Sequence, residues 1–485
     1  MSRYDYDVLT IGMGPAGMAV SGMAVEMGLA VAAIEARSIG GECMNVGCIP
    51  SKALLRIAQH RHMPSRFDRF ELESTATPAV RAPFEKIARD LTFINENKTR
   101  RMFDQVDLIL GEGFARFVDP HTVAVGDRTI SARRIFITAG TQPALPPIPG
   151  LDDVDVLTNN NLFKLDSVPE SMTIVGGGAI GCEMAQAFTR LGCPCRIVHM
   201  DEHVIPVGDP QAAALIEQTF TDEGIEVYNG RKIDRVAAED GGVALYTDQG
   251  ERIYSQRLLV AAGRRVDLEP LELDNAGVAY TKRGITVDRY LRTSRRHIFA
   301  AGDCNGHVQL SHAAMHQGMI ALMNAMLPWP LKRDFRRFTV PWTVFTEPQV
   351  SHVGRTEQQL QEAGVKYETT QVSYEDYGAA IAENVAVGFL RVHASPAGRI
   401  YGVSIVGENS GEMINEWALA IQNRLRMHHI MLQQHSFPTM GFLSKRVAET
   451  WMVRRMASPR LRKLAQWMYR RSSSRPAAAE PSPAA

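Results

Sequence analysis

The sequence predicts an α/β protein made of two Rossmann-like units and a C-terminal α+β domain, on three observations. YDVLTIGMGPAGMAVSGMAVEMGLAVAAIEA (6–36) reads as a buried strand, a glycine turn, an apolar helix and a second strand ending in Glu35. MTIVGGGAIGCEMAQAFTRLGCPCRIVHMDE (172–202) repeats that layout. From about residue 340 the pattern changes to alternating strands (FLRVHA, RIYGVSIVG) with one helix, GEMINEWALAIQNRLR.

Gly12, Gly14 and Gly17 fit G-x-G-x-x-G directly after a strand. The first two let the backbone turn and approach a pyrophosphate, and the third allows tight helix–strand packing. Glu35, at the end of the next strand, stands where an acid accepts ribose hydroxyls. Gly176, Gly178 and Gly181 repeat the motif. One such motif is weak evidence, but two in matching frames predict two dinucleotide-binding domains. The second unit lacks the acid: its strand ends at His199, followed by Met200, Asp201 and Glu202. Glutamate there favours the free 2′-hydroxyl of NADH and arginines the 2′-phosphate of NADPH; His199 decides neither, and a protonated imidazole could tolerate a phosphate, so the preference stays open.

A chain of 485 residues exceeds one core and calls for two to four domains. Lys+Arg and Asp+Glu both number 53, so no global field favours nucleic acid or membrane. Six cysteines are too few for a disulfide framework and point to a reducing compartment. MSRYDYDVLTIG has no signal-peptide pattern, and no apolar run approaches the roughly 20 residues of a membrane span. A cytoplasmic protein is expected.

GGECMNVGCIPSK (40–52) places Cys43 and Cys48 ahead of Lys52. No second Cys/His pair accompanies them, which argues against zinc, and no metal site is expected. A structural disulfide is out of place in a reducing cell. A redox pair at a helix start fits better, because the helix dipole and a nearby lysine lower a thiolate pKa.

GGECMNVGCIPSKALL, preceded by IGMGPAG and followed by GGGAIGCE, AGDC and FTEPQVSHVG, resembles the flavoprotein disulfide reductases over roughly residues 5–450. The resemblance is to the branch of dihydrolipoamide dehydrogenase and mercuric reductase. It implies FAD on the first turn, with Glu35 on its ribose and Asp303 on its ribityl chain, and NAD(P)H on the second. Thr138 and Gly140 of ITAGTQP, Gly263 of LLVAAGRR and His199 join the cofactor contacts by the same resemblance. Electrons would pass from NAD(P)H through the flavin to a Cys43–Cys48 disulfide. Cys48 would be the thiolate beside the flavin, Cys43 would meet the acceptor, and Lys52 and Glu183 would pair beside flavin N5. The resemblance also implies a homodimer, built on a dimerisation domain over 339–450. The FAD domain would span 1–157, completed by 288–338, the NAD(P) domain 158–287, and a tail 451–485.

The family's usual C-terminal His-Pro-Thr-x-x-Glu segment reads HSFPTMGF (435–442) here. Phe437 stands in the histidine position and Phe442 in the glutamate position, so the acid/base dyad is gone. His435, two residues upstream, reads as structural. A general acid/base contributes about 10²–10⁴-fold, so exchange with lipoamide or glutathione should be slow. An aromatic in the histidine's place, with Glu42 before Cys43, resembles the mercuric reductases, yet no cysteine lies beyond Cys304 to capture metal. The acceptor, a small molecule or a protein-bound group, stays open among disulfides, metal ions and, as the alternative, quinones reduced at the flavin. A redox sensor with incidental turnover is the reading from another class.

Cys182, Cys193 and Cys195 read as small buried thiols, and His428 and His429 as surface or core histidines. From Arg454 to Arg475 there are eight basic residues and no acid, with Leu461, Leu464 and Met468 at i, i+3 and i+7. That pattern predicts a short basic amphipathic helix, a candidate for peripheral contact with an anionic membrane. Its bland counterpart is a solvated or subunit-packing helix.

Overall fold

Tyr6–Ile11 is a strand whose last four side chains, Val8, Leu9, Thr10 and Ile11, are all buried. Burial on both faces is the mark of a central parallel strand. In the computed structural model, which describes residues 4–73 and 76–472, it pairs with Val31–Glu35 on one side and Arg128–Ile137 on the other. Asp107–Leu110 and Ile298–Ala300 extend the parallel sheet at its two ends. The register aligns Ile11 with Ile34 and Ile137, so the strand ends that carry the glycine turn and Glu35 finish level. Arg116–Asp119 and Thr122–Val125 add an antiparallel ribbon.

The second sheet has the order Glu226–Tyr228, Cys195–Val198, Met172–Val175, Arg257–Val260, Val156–Leu157, all parallel. Val156–Leu157 therefore belongs to the second sheet, although the sequence reading ended the first domain at 157. Two residues following a Pro-rich link carry no periodicity that would assign them. A three-stranded antiparallel sheet, Ile233–Glu239, Gly242–Thr247 and Arg252–Ser255, completes this part.

The chain divides into two compact units, one of residues 1–338 with 344–346 and the other of residues 339–343 and 347–485. The second unit's sheet runs Trp342–Val344, Gln349–Gly354, Ile400–Gly407, Phe389–Ala394, Glu368–Ser373. Helices Ser410–Gln422 and Phe442–Met456 bury Trp417 and Trp451 in its core, and the Trp417 indole donates to Ser444 Oγ at 3.1 Å.

The tail differs from expectation. The helix Phe442–Met456 runs through the boundary set at 450, because Trp451 is a core residue. Arg454 and Arg455 lie on that helix, donating to the Thr369 carbonyl and to Glu368. The amphipathic helix is the separate segment Pro459–Ser472. Proline has no N–H to lose at a first helical turn, so the chain restarts there. Arg475 and the Pro/Ala-rich end lie outside the described residues. Among the described residues no helix is long and apolar enough to cross a membrane.

Candidate active site: two glycine cradles around a thiol pair

The two glycine turns repeat one another closely. Gly12 and Gly176 hold φ of +95° and +118°, open to glycine but not to L side chains. A Cβ on Gly17 would stand 1.9 Å from the Gly12 carbonyl oxygen, and one on Gly181 the same distance from that of Gly176. A Cβ on Gly14 or Gly178 would meet nothing within 4 Å, so the face above each turn is open. Gly14 and Gly178 are also the N-caps of Pro15–Glu26 and Ala179–Arg190, and neither helix has a side-chain cap. Each therefore offers N–H groups and the positive end of its dipole to a phosphate. Both cradles fit a dinucleotide.

At the first cradle Glu35 is buried and Asp303 half-buried. The Glu35 carboxylate accepts the Met13 N–H at 2.8 Å and the Arg37 N–H at 2.8 Å, which locks the turn. Thr138 donates its hydroxyl to the Ile11 and Gly12 carbonyls, so its side chain braces the turn from below. Gly140 and Gly263 have φ of +71° and +122° and open space where a Cβ would be. Burial raises the Asp303 carboxyl, partly offset by Arg264. Thr141 donates to Asp303 at 3.2 Å.

Cys48 is the first residue of the helix Cys48–His62, and Cys43 lies on the short helix Gly41–Asn45 before it. Both are half-buried free thiols that hydrogen-bond to each other. The bond from Cys43, then the Ser311 hydroxyl at 3.3 Å and the Lys52 ammonium, bring Cys48 down to about 6. The same bond, with burial, pushes Cys43 far up. At neutral pH this places the proton preferentially on Cys43 and favours the thiolate at Cys48.

Lys52 lies one helical turn past Cys48. Its ammonium is 2.8 Å from the Glu183 carboxylate on the helix that follows the second glycine turn, and 4.4 Å above the Phe345 ring. The other Glu183 oxygen accepts the Phe345 N–H at 3.0 Å. The pair joins the thiol helix to the second cradle.

Arg264 and Ser311 were not singled out from the sequence. Arg264 pairs with Glu42, the residue before Cys43, and donates Nε to Thr141 Oγ1 at 2.6 Å. Glu42, Arg264, Thr141 and Asp303 thereby form one relay between the thiol loop and the first cradle. The adjacency of Arg264 to Gly263 was its only sequence signal.

His435 offers no free nitrogen. Its Nε2 is 2.9 Å from Glu416 Oε1, and its Nδ1 makes a long contact of 3.4 Å with the Gln433 carbonyl. That agrees with a structural role. Phe437 is 71% exposed and packs edge-on against Phe442. Cys182, Cys193 and Cys195 are fully buried, and among the described residues no His/Cys/Asp/Glu cluster could hold a metal.

Comparison with known proteins agrees with this geometry. Residues 6–318 match the pyridine nucleotide-disulphide oxidoreductase model, and 340–445 match that family's dimerisation domain. The chain is 33% identical over 426 residues to the mercuric reductase of Bacillus cereus, covering 87% of this chain and 67% of that enzyme. It is 32% identical over 453 residues to the dihydrolipoyl dehydrogenase of Thermus scotoductus, covering 90% and 95% of the two. The HOCl-induced flavoprotein disulfide reductase RclA from Escherichia coli superposes with a TM-score of 0.81 at 27% identity, over 92% of this chain and 99% of that one. With both cradles, the thiol pair and a dimerisation domain that makes it a homodimer, the chain belongs to the pyridine nucleotide-disulphide oxidoreductases, as an FAD-dependent enzyme oxidising NAD(P)H.

Proposed function

We propose that the Cys43–Cys48 pair delivers electrons to a thiophilic metal ion in preference to a small-molecule disulfide. FAD, when bound, converts the nicotinamide's hydride into two electrons for the cysteine pair. Breaking the S–S bond with two electrons and one proton leaves the Cys48 thiolate and the Cys43 thiol described above. Lys52, held by Glu183, places a fixed positive charge beside the path of those electrons. Glu35, Asp303 and the N–H groups after Gly14 and Gly178 would hold the two nucleotides.

The observation that carries the metal reading is Phe437 in the acid/base position, with His435 engaged to Glu416. Exchange with a disulfide needs protons delivered to leaving thiolates, whereas reduction of a thiolate-bound metal ion does not. Relatives named mercuric reductase, and an RclA structure described as a Cu(II) complex, support the same reading. The test compares NAD(P)H oxidation by the purified dimer with Hg(II), Cu(II), lipoamide and a quinone. Metal turnover that disappears in Cys43→Ser/Cys48→Ser supports the proposal. Quinone turnover that survives in that variant would favour reduction directly at the flavin.

A cytoplasmic site suits six free thiols. For peripheral membrane contact the support is the helix Pro459–Ser472, where Leu461, Leu464, Trp467 and Met468 are exposed among Arg460, Arg462, Lys463, Arg470 and Arg471. Failure of the full chain to co-sediment with anionic vesicles at low salt would end that reading.

A further inference from the structure

We infer that a Glu217–Asn229–His199 chain selects NADH over NADPH, an inference that rests on reading the second glycine turn as the nicotinamide-dinucleotide site. His199 directly follows the strand Cys195–Val198 and is fixed by its backbone, its N–H donating to Tyr228 O and its carbonyl accepting from Arg231 N. The imidazole is 3% exposed and lies against the turn itself: a Cβ on Gly177 would be 2.9 Å from three of its ring atoms.

The proton position on this ring follows from its neighbours. Asn229 donates its amide nitrogen to Glu217 Oε1 at 2.8 Å, and that carboxylate oxygen also accepts the Val204 N–H at 3.0 Å. A carboxylate only accepts, so the Asn229 carbonyl oxygen is the atom turned to His199, at 2.6 Å from Nε2. In the neutral imidazole Nε2 therefore carries the hydrogen, and Nδ1 presents a lone pair. Nδ1 is buried and has no hydrogen-bond partner among the described residues. A bare acceptor left buried costs free energy, and a ligand's donor would satisfy it.

An acceptor at the end of this strand suits the free 2′-hydroxyl of an adenosine ribose, which donates, and not a 2′-phosphate, which only accepts at neutral pH. The local charges point the same way. The Asp201 carboxylate is 3.9 Å from Nδ1, and Glu202 follows it. Arg231 is already paired with Glu251 and donates to the Asn229 main-chain carbonyl. Asn229 and Glu217 are positioning residues that fix which face of the imidazole chemistry the ribose meets.

The test is calorimetric binding of NAD⁺ and NADP⁺, and of 5′-ADP and 2′,5′-ADP, to the FAD-loaded dimer. NAD⁺ and 5′-ADP should bind at least about tenfold tighter than their 2′-phosphorylated counterparts, the worth of one well-placed hydrogen bond plus removed repulsion. His199→Ala and Asn229→Ala should each bring that ratio to within about threefold by weakening NAD⁺ alone, and His199→Arg should invert it. An unchanged flavin spectrum shows that the variants are folded. Equal binding of both dinucleotides, or a ratio unmoved by His199→Ala, overturns this inference while leaving the nucleotide site intact. Binding of neither to the wild-type dimer overturns the reading of the second turn as well.

Discussion

Lys52 Nζ and Glu183 Oε2 stand 2.8 Å apart although 131 residues separate them in sequence. The contact fixes a cation one turn from the Cys48 thiolate and ties the thiol helix to the helix of the second cradle. Glu183 is 5% exposed at its side chain, so the anion is held mainly by this partner and by the Phe345 N–H.

Lys52→Met should slow reduction of the enzyme by NAD(P)H about 10²–10³-fold, the usual loss when one preorganised charge stabiliser is removed. Glu183→Gln should slow it less, since the ammonium remains but is no longer anchored. Stopped-flow absorbance of the flavin measures both.

The reduced enzyme should show a thiolate that persists well below the ordinary range of a cysteine. With Cys48 at about 6, the thiolate is present above that pH and is lost as the pH falls through it. Ser311→Ala removes a donor that favours the anion, so the midpoint should move upward. A pH titration of the thiolate absorbance, or of its alkylation rate, reads both values.

Phe437→His should raise turnover with lipoamide by up to about 10²-fold, the low end of what a positioned acid/base supplies. The gain is limited because Phe442 stands in place of an orienting carboxylate. Steady-state assays with lipoamide check it; no gain would mean that acid/base loss does not set the acceptor preference.

Gly17→Ala should yield protein with weakened FAD binding, by about 10–100-fold. A Cβ 1.9 Å from the Gly12 carbonyl forces helix and turn apart, and overpacking of this kind costs about 1–3 kcal/mol, or roughly one to two decades in affinity. Flavin content after dialysis measures it.

The elements legible in sequence were those whose function constrains neighbouring residues. The glycine spacings declare themselves because each glycine answers a local steric demand, and Cys43, Cys48 and Lys52 sit within one short segment. Arg264 and Ser311 were not legible, because their roles depend on contacts with Glu42, 222 residues away, and with Cys48, 263 away. The restart of the helix at Pro459 was hidden for another reason: basic residues stand on both sides of it, while Trp451 and the Glu368 pairing anchor only the first part. His199 was legible as a position but not as a chemistry, since its proton is placed by Asn229 and Glu217.

The most direct test of the central claim is an anaerobic titration of the purified yellow dimer with NADH, followed through the visible flavin spectrum. Electrons that reach Cys43–Cys48 should produce a long-wavelength thiolate-to-flavin absorption after two electrons, and Cys48→Ser should abolish it. Direct bleaching of the flavin with no such band would contradict the account, because the cysteine pair would then be bypassed.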